Sequence, residues 1–307
     1  MKTKDYLAIG AALGAAFFWS FSFVWFKIAY LAYNPLTVVI LRLAISTILI
    51  SLVAAVLKRL QKPTGKDLKL FILMAFFEPF IYFLGESYGL KYVSPTVAAV
   101  IVATIPLFTP IAAWYFHNEK VKWMNVVGLF FSFVGVGLVV LNGSFRLDAL
   151  PLGVGLEFMA VFAAIAYAIV LKSLASRYNT LTIIAYQNVI GILFFLPLWL
   201  IIDVKAFLQT PFHPQAFRAI ILLAVFSSTL AFIFFTQSVR LIGVNRSNTF
   251  INLIPVFVAI FSFLILKEEL GFQKIVGIFV VVTGLFLAQI KGKSKRIVDE
   301  AVEVHRK

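Results

Sequence analysis

Four charged side chains lie inside otherwise apolar stretches: Arg42, Glu78, Glu86 and Glu157. A charge in hydrocarbon is costly, and it is kept where it binds solute, relays protons or ties helices together. Glu78, Tyr82 and Glu86 are spaced by four. On a helix that puts them on one side, with Glu86 about 80° round from Glu78. No basic residue is predicted at the depth of Glu78. A buried carboxylate without a cationic partner can take up and release protons, so Glu78 is read as the proton-coupling residue. Arg42 and Glu157 both fall about six residues from the same ends of their stretches, roughly 9 Å deep at 1.5 Å per residue. They are read as an ion pair between helices, and either can also meet Glu86.

Asn248 and Asn252 are four apart and share a helical face. Two amides there can bind a polar solute or join helices. Trp19 lies deep in the first stretch and can stack on a substrate, although core or lipid contact is the plainer reading. Trp19, Glu78, Tyr82, Glu86, Asn248 and Asn252 make up the candidate substrate-binding set. Pro106 and Pro255 fall mid-stretch, where proline removes a backbone bond and clashes with the preceding turn. They are read as paired hinges, against a plain packing bend. Gly128 and Gly135, with Gly277 and Gly284, put small residues on one helix face and suit close helix packing. Glu119 and Glu268 fall at loop ends and suit stabilisation of the next helix.

The elements that position these groups are membrane spans. Of 307 residues, 62% are hydrophobic and 13% charged, and Phe alone supplies 34. Mean hydropathy is +1.00. Soluble domains carry about 25% charged residues. A net charge of +14 then points to basic loops facing anionic lipid rather than to nucleic acid. The sequence contains no Cys and three His, which leaves no thiol chemistry and little scope for a metal site. No cleavable signal stands out. At about 20 residues per span, ten spans fit: 6–26, 36–57, 69–89, 95–116, 122–141, 152–173, 181–202, 217–238, 247–266 and 273–290. The stretch 203–218 reads as an exposed loop.

The chain also repeats itself, the feature to seek first in any sequence. At an offset of 149, Ile105, Pro106, Glu119, Gly128 and Gly135 meet Ile254, Pro255, Glu268, Gly277 and Gly284. Nearer the front the offset is 145, where Gly10, Phe17 and Lys27 meet Gly155, Phe162 and Lys172. The units are 1–145 and 146–290, followed by a polar cytoplasmic tail, 291–307. Five spans per unit is odd, so the second unit enters from the opposite side. The expected fold is an all-α integral membrane protein of ten transmembrane helices arranged as two inverted five-helix repeats. With both termini inside, inner segments hold 19 Lys and Arg against 7 outside. This favours cytoplasmic N- and C-termini in a plasma (inner) membrane.

Gly89-Leu90-Lys91-Tyr92, Pro106, Glu119, Gly128 and Gly135 resemble the drug/metabolite transporter superfamily, specifically EamA-like permeases with two tandem EamA domains. Pro255, Glu268, Gly277 and Gly284 repeat the pattern. The second copy departs from it at Ser238-Val239-Arg240-Leu241, and Pro35 and Arg42 are replaced there by Thr180 and Gln187. The resemblance implies solute transport, often export of amino acids or related metabolites, by alternating access. It also implies a central cavity lined by the first, third, fourth, sixth, eighth and ninth spans. Import or uncoupled facilitation stays open. An intramembrane lipid-modifying enzyme is the reading from another class. No GxxxxGK[ST], HExxH or GxSxG motif is present, so neither ATP hydrolysis nor an enzyme is expected, and no cofactor or metal. The partners expected are a small-molecule metabolite and the lipid bilayer, with a homodimer left open.

Overall fold

The structure, a computed structural model, describes residues 3–108, 123–140 and 150–289. Glu119, His117 and the tail 291–307 lie outside the described residues. Those described form helices and connecting turns, with no strand among them. Seven helical stretches are long and apolar enough to cross a membrane, and three shorter apolar helices accompany them.

Proline and polar caps set many helix starts. Pro35, Pro95, Pro151 and Pro214 occupy the first turns of α2 (Pro35–Val56), α5 (Pro95–Val102), α7 (Pro151–Ala175) and α9 (Pro214–Leu222). A missing N–H costs nothing there, and the fixed φ suits a helix. Thr64 caps α3 (Gly65–Ala75), and Asn179 caps α8 (Thr180–Ile202) by accepting from Thr182 N at 2.9 Å. The remaining helices are α1 (Thr3–Ala29), α4 (Tyr82–Tyr92), α6 (Trp123–Val140), α10 (Ala231–Ile242), α11 (Ile254–Phe261) and α12 (Phe272–Gln289).

The two halves pack reciprocally. Helix α1 lies against α10, while α4 lies against α7; α2 lies against α8, α5 against α11 and α6 against α12. The first element of each half therefore meets the third of the other, and the second, fourth and fifth each meet their counterparts. Helices α6 and α12 touch through their glycines. A β-carbon on Gly135 would fall 2.7 Å from Val281 N, and one on Gly284 would fall 2.8 Å from the Gly128 carbonyl.

Irregularities recur at the same offset of 149. The third stretch is interrupted at Phe76–Ile81, and the eighth winds as a wide π-turn over Leu223–Leu230. The fourth stretch breaks at Ala103–Thr104, and the ninth tightens to a 3₁₀ turn over Thr249–Leu253. Pro106 and Pro255 sit at the start of the resumed helices, just past these breaks. The breaks sit where each proline withholds its N–H and crowds the carbonyl four residues back.

The 203–218 stretch, expected as an exposed loop, contains a short helix, Val204–Gln209. Its Asp203 is buried, because the carboxylate accepts from Thr37 N at 3.2 Å and Thr37 Oγ1 at 3.3 Å.

Candidate functional site

The third stretch supplies the core of the site. Glu78 precedes Pro79, and a residue before proline is pushed out of the α region. Glu78 accordingly takes φ −146°, ψ 116°. The helix stops at the carboxylate and restarts as α4, which carries Tyr82 and Glu86. Tyr82 Oη donates to Glu86 Oε1 at 3.1 Å.

Glu78, Tyr82 and Glu86 line one cavity with Trp19, Arg42 and Asn248. Phe83, Tyr167, Phe232 and Phe235 supply aromatic walls. The cavity volume is about 50 Å³, room for a few waters at roughly 10–15 Å³ each. The six spans implied by the family resemblance all contribute, and α2 adds Arg42. Span α8 contributes none of the lining.

Arg42 is 1% exposed. Its Nε donates to Ser228 Oγ at 2.7 Å. Its guanidinium carbon sits 4.2 Å from the Phe83 ring centre and 4.9 Å from that of Phe26, a favourable cation–π arrangement. Nη1 has no hydrogen-bond partner among the described residues. The polar chain runs on from Ser228. Ser46 Oγ donates to the Ser228 carbonyl at 3.2 Å and lies 2.7 Å from Thr229 Oγ1, and Asn188 Nδ2 donates to Ser46 at 2.8 Å.

The expected ion pair between Arg42 and Glu157 is not made. Among the described residues the ion pairs are Asp67 with Arg177 and Glu268 with Lys274. Glu157 is fully buried, and neither carboxylate oxygen has a hydrogen-bond partner among the described residues. It lies against Gly89, outside the cavity lining, with Glu86 and Lys27 as its charged neighbours. The two groups share a depth but not a direction around their helices.

Asn248 and Asn252 also part company. Asn248 lines the cavity, whereas Asn252 is fully buried outside it, and neither of its amide atoms has a partner among the described residues. Four residues turn about 40° in an α-helix but about 120° in a 3₁₀ helix, and the tight turn begins at Thr249.

Several residues of the site did not stand out in the sequence. Pro79 carries a signal in the Glu-Pro dipeptide. Ser228 and Tyr167, whose Oη donates to Gln187 Oε1 at 3.2 Å, carry none that separates them from other Ser and Tyr. One end of the bundle is fastened by Asp67, which accepts from Arg177 and from Tyr178 Oη. Beside it, the Asn179 backbone N donates to Gln61 Oε1 at 2.7 Å. At the opposite end Lys27, Lys91 and Glu268 line an open cleft of about 480 Å³. Glu268, expected to support the next helix, accepts from Thr96 Oγ1 at 2.9 Å and reaches Lys274 at 3.9 Å.

Known proteins share this plan. The chain is 26% identical over 251 residues to "Uncharacterized transporter YetK" of Bacillus subtilis, covering 81% of this chain and 76% of that one. A transporter of Archaeoglobus fulgidus is 26% identical over 280 residues, 88% and 94% of the two chains. "Probable terminal-alkyne amino-acid exporter" of Streptantibioticus cattleyicolor is 22% identical over 278 residues, 91% and 92%. A solved crystal structure superposes with a TM-score of 0.69 at 14% identity, over 92% of this chain and 98% of that one, a likeness of fold. The EamA-like transporter family matches residues 6–141 and 151–289 in two tandem copies. These matches point to a transporter rather than an enzyme, and the chain belongs to the EamA-like transporter family.

Proposed function

We propose that the chain is a secondary transporter. It exports small organic metabolites such as amino acids across a plasma (inner) membrane, by alternating access through the central cavity and coupled to protons at Glu78. The observation that carries this reading is convergence. Glu78, Glu86, Arg42 and Asn248 come from both halves of the chain onto one cavity with aromatic walls.

The reciprocal packing of the halves supports two inverted five-helix repeats, since an exchange of first and third elements is what a two-fold relation produces. The matched breaks ahead of Pro106 and Pro255 suit them as hinges, one per half. Glu78 stands at the interrupted helix and in the cavity lining, the place a proton-coupling carboxylate needs. The exporter named among the relatives favours amino acids as the solute class.

The test is solute flux in proteoliposomes holding wild type or Glu78→Gln, with an imposed pH gradient and a panel of amino acids, nucleosides and amines. Faster movement of one class with the gradient, in wild type only, is expected. Equal movement in both, unaffected by the gradient, would overturn proton coupling at Glu78.

A further inference from the structure

We infer that a motif the chain carries twice, Tyr33-Asn34-Pro35-Leu36-Thr37 and Tyr178-Asn179-Thr180-Leu181-Thr182, forms two latches at opposite faces of the bundle. Each holds the start of the third stretch of the other half, and release of one latch at a time lets the cavity open to that face. The inference rests on the transport reading above and names positioning residues of its cycle.

The latches are built alike. Tyr178 Oη accepts from Thr64 N at 3.2 Å and donates to Asp67 Oδ2 at 2.7 Å. Asn179 Nδ2 donates to the Arg59 carbonyl at 2.6 Å, and Thr182 Oγ1 accepts from Gln61 N at 2.9 Å. In the other latch Tyr33 Oη accepts from His213 N at 3.4 Å. Asn34 Nδ2 donates to Asp203 Oδ1 at 3.4 Å, and Thr37 donates to Asp203 Oδ2. Thr64 and His213 are the N-caps of α3 and α9, and each accepts from the backbone N three residues on. The two tyrosines are related by the front offset of 145, and the caps they hold by the later offset of 149. The contact therefore belongs to the repeat and is made once in each direction. Asn34 and Arg59 flank the two ends of α2, whose 22 residues span about 33 Å, so the latches lie at opposite faces.

What each latch holds is set off from the cavity by a break. The third and eighth stretches contribute lining from Glu78 and Phe232 onward, so α3 and α9 are the parts between the cavity and a latch. Phe76–Ile81 follows α3 and Leu223–Leu230 follows α9. A π-bulge or an interrupted ladder is where a helix bends, and the extended backbone of Glu78 puts one bend at a cavity carboxylate. Helix α3 packs on α7 and α8, and α9 packs on α1 and α2. Each segment thus rests on the first two helices of the opposite half. Swinging it about its break parts the halves at one face and leaves the other latch made.

The test uses the cysteine-free chain with one reporter per face, Ala175→Cys beside Tyr178 and Ala219→Cys in α9, at positions 3% and 2% exposed. N-ethylmaleimide labelling of the purified full-length protein, without solute, is followed by intact mass. Tyr178→Phe should quicken the Ala175→Cys reporter about threefold or more, the scale of a lost net hydrogen bond, and keep the other within about twofold. Tyr33→Phe should do the reverse. A merely structural loss would loosen both faces together. Thr182→Val and Thr37→Val remove a different bond of each latch and decide the test should a tyrosine variant fail to fold. The inference is overturned if either change quickens both reporters alike, or if either fails to quicken its own. Flux in proteoliposomes is read separately. Face-specific labelling without flux of any solute would defeat the transport reading and leave the latches standing. Flux with labelling that ignores the face would defeat the latches and leave the transport reading standing.

Discussion

A β-carbon on Gly89 would fall 2.6 Å from Glu157 Oε1. The two halves of the chain thus meet at a carboxyl group pressed on a bare backbone. Gly89→Ala must displace that carboxyl, and the expected cost is about 1–3 kcal/mol, the usual range for overpacking, read as a lower thermal midpoint in detergent. Adding Glu157→Ala should recover much of it. Strict additivity of the two changes would show that the contact is not what makes alanine costly.

Glu157 makes no hydrogen bond or ion pair among the described residues. Glu157→Gln is therefore expected to alter stability by less than about 1 kcal/mol, whereas breaking a buried ion pair typically removes about 3–5 kcal/mol. Thermal denaturation of the purified protein separates the two outcomes, and a large loss would restore an ionic role to this residue.

The glycines between α6 and α12 meet backbone, which cannot swing aside as a side chain does. Gly135→Ala should lower stability by about 1–3 kcal/mol and leave solute affinity unchanged, because neither helix lines the cavity. A change in affinity at unchanged stability would contradict this division of labour.

Asp67, Arg177 and Tyr178 tie the first half to the second at one end of the bundle. Asp67→Asn should weaken that fastening. The chain has no native cysteine, so a single reporter such as Ala175→Cys, at a position 3% exposed, gives an unambiguous labelling signal. Maleimide labelling at this site should quicken several-fold with Asp67→Asn. An unchanged rate would mean that other contacts keep this end shut.

Much of the fold was legible because membranes punish exceptions. Arg42, Glu78, Glu86 and Glu157 stood out as charges in apolar stretches, and three of the four line the cavity. The Pro and Gly matches at offset 149 fall on helix breaks and helix contacts that recur in both halves. What stayed hidden was rotation about a helix axis. Depth along a span can be counted, which is why Arg42 and Glu157 looked like partners. Azimuth depends on neighbours, and Phe26, Phe83 and Ser228 claimed the guanidinium. Asn252 was misplaced for a related reason, since the tight winding at Thr249–Leu253 has no signature in the residues that form it. The interruption at Glu78 was readable: a Glu-Pro pair in mid-span forces the extended backbone.

The small cavity has a thermodynamic consequence. The cavity as it stands has room for a few waters; where a solute requires a wider form of the carrier, the free energy of widening subtracts from its affinity. Were that form populated at about 1%, apparent affinity would be about a hundredfold weaker than the intrinsic value. Loosening Asp67 from Arg177 would then tighten solute binding from a distance, with every group that touches the solute left as it was.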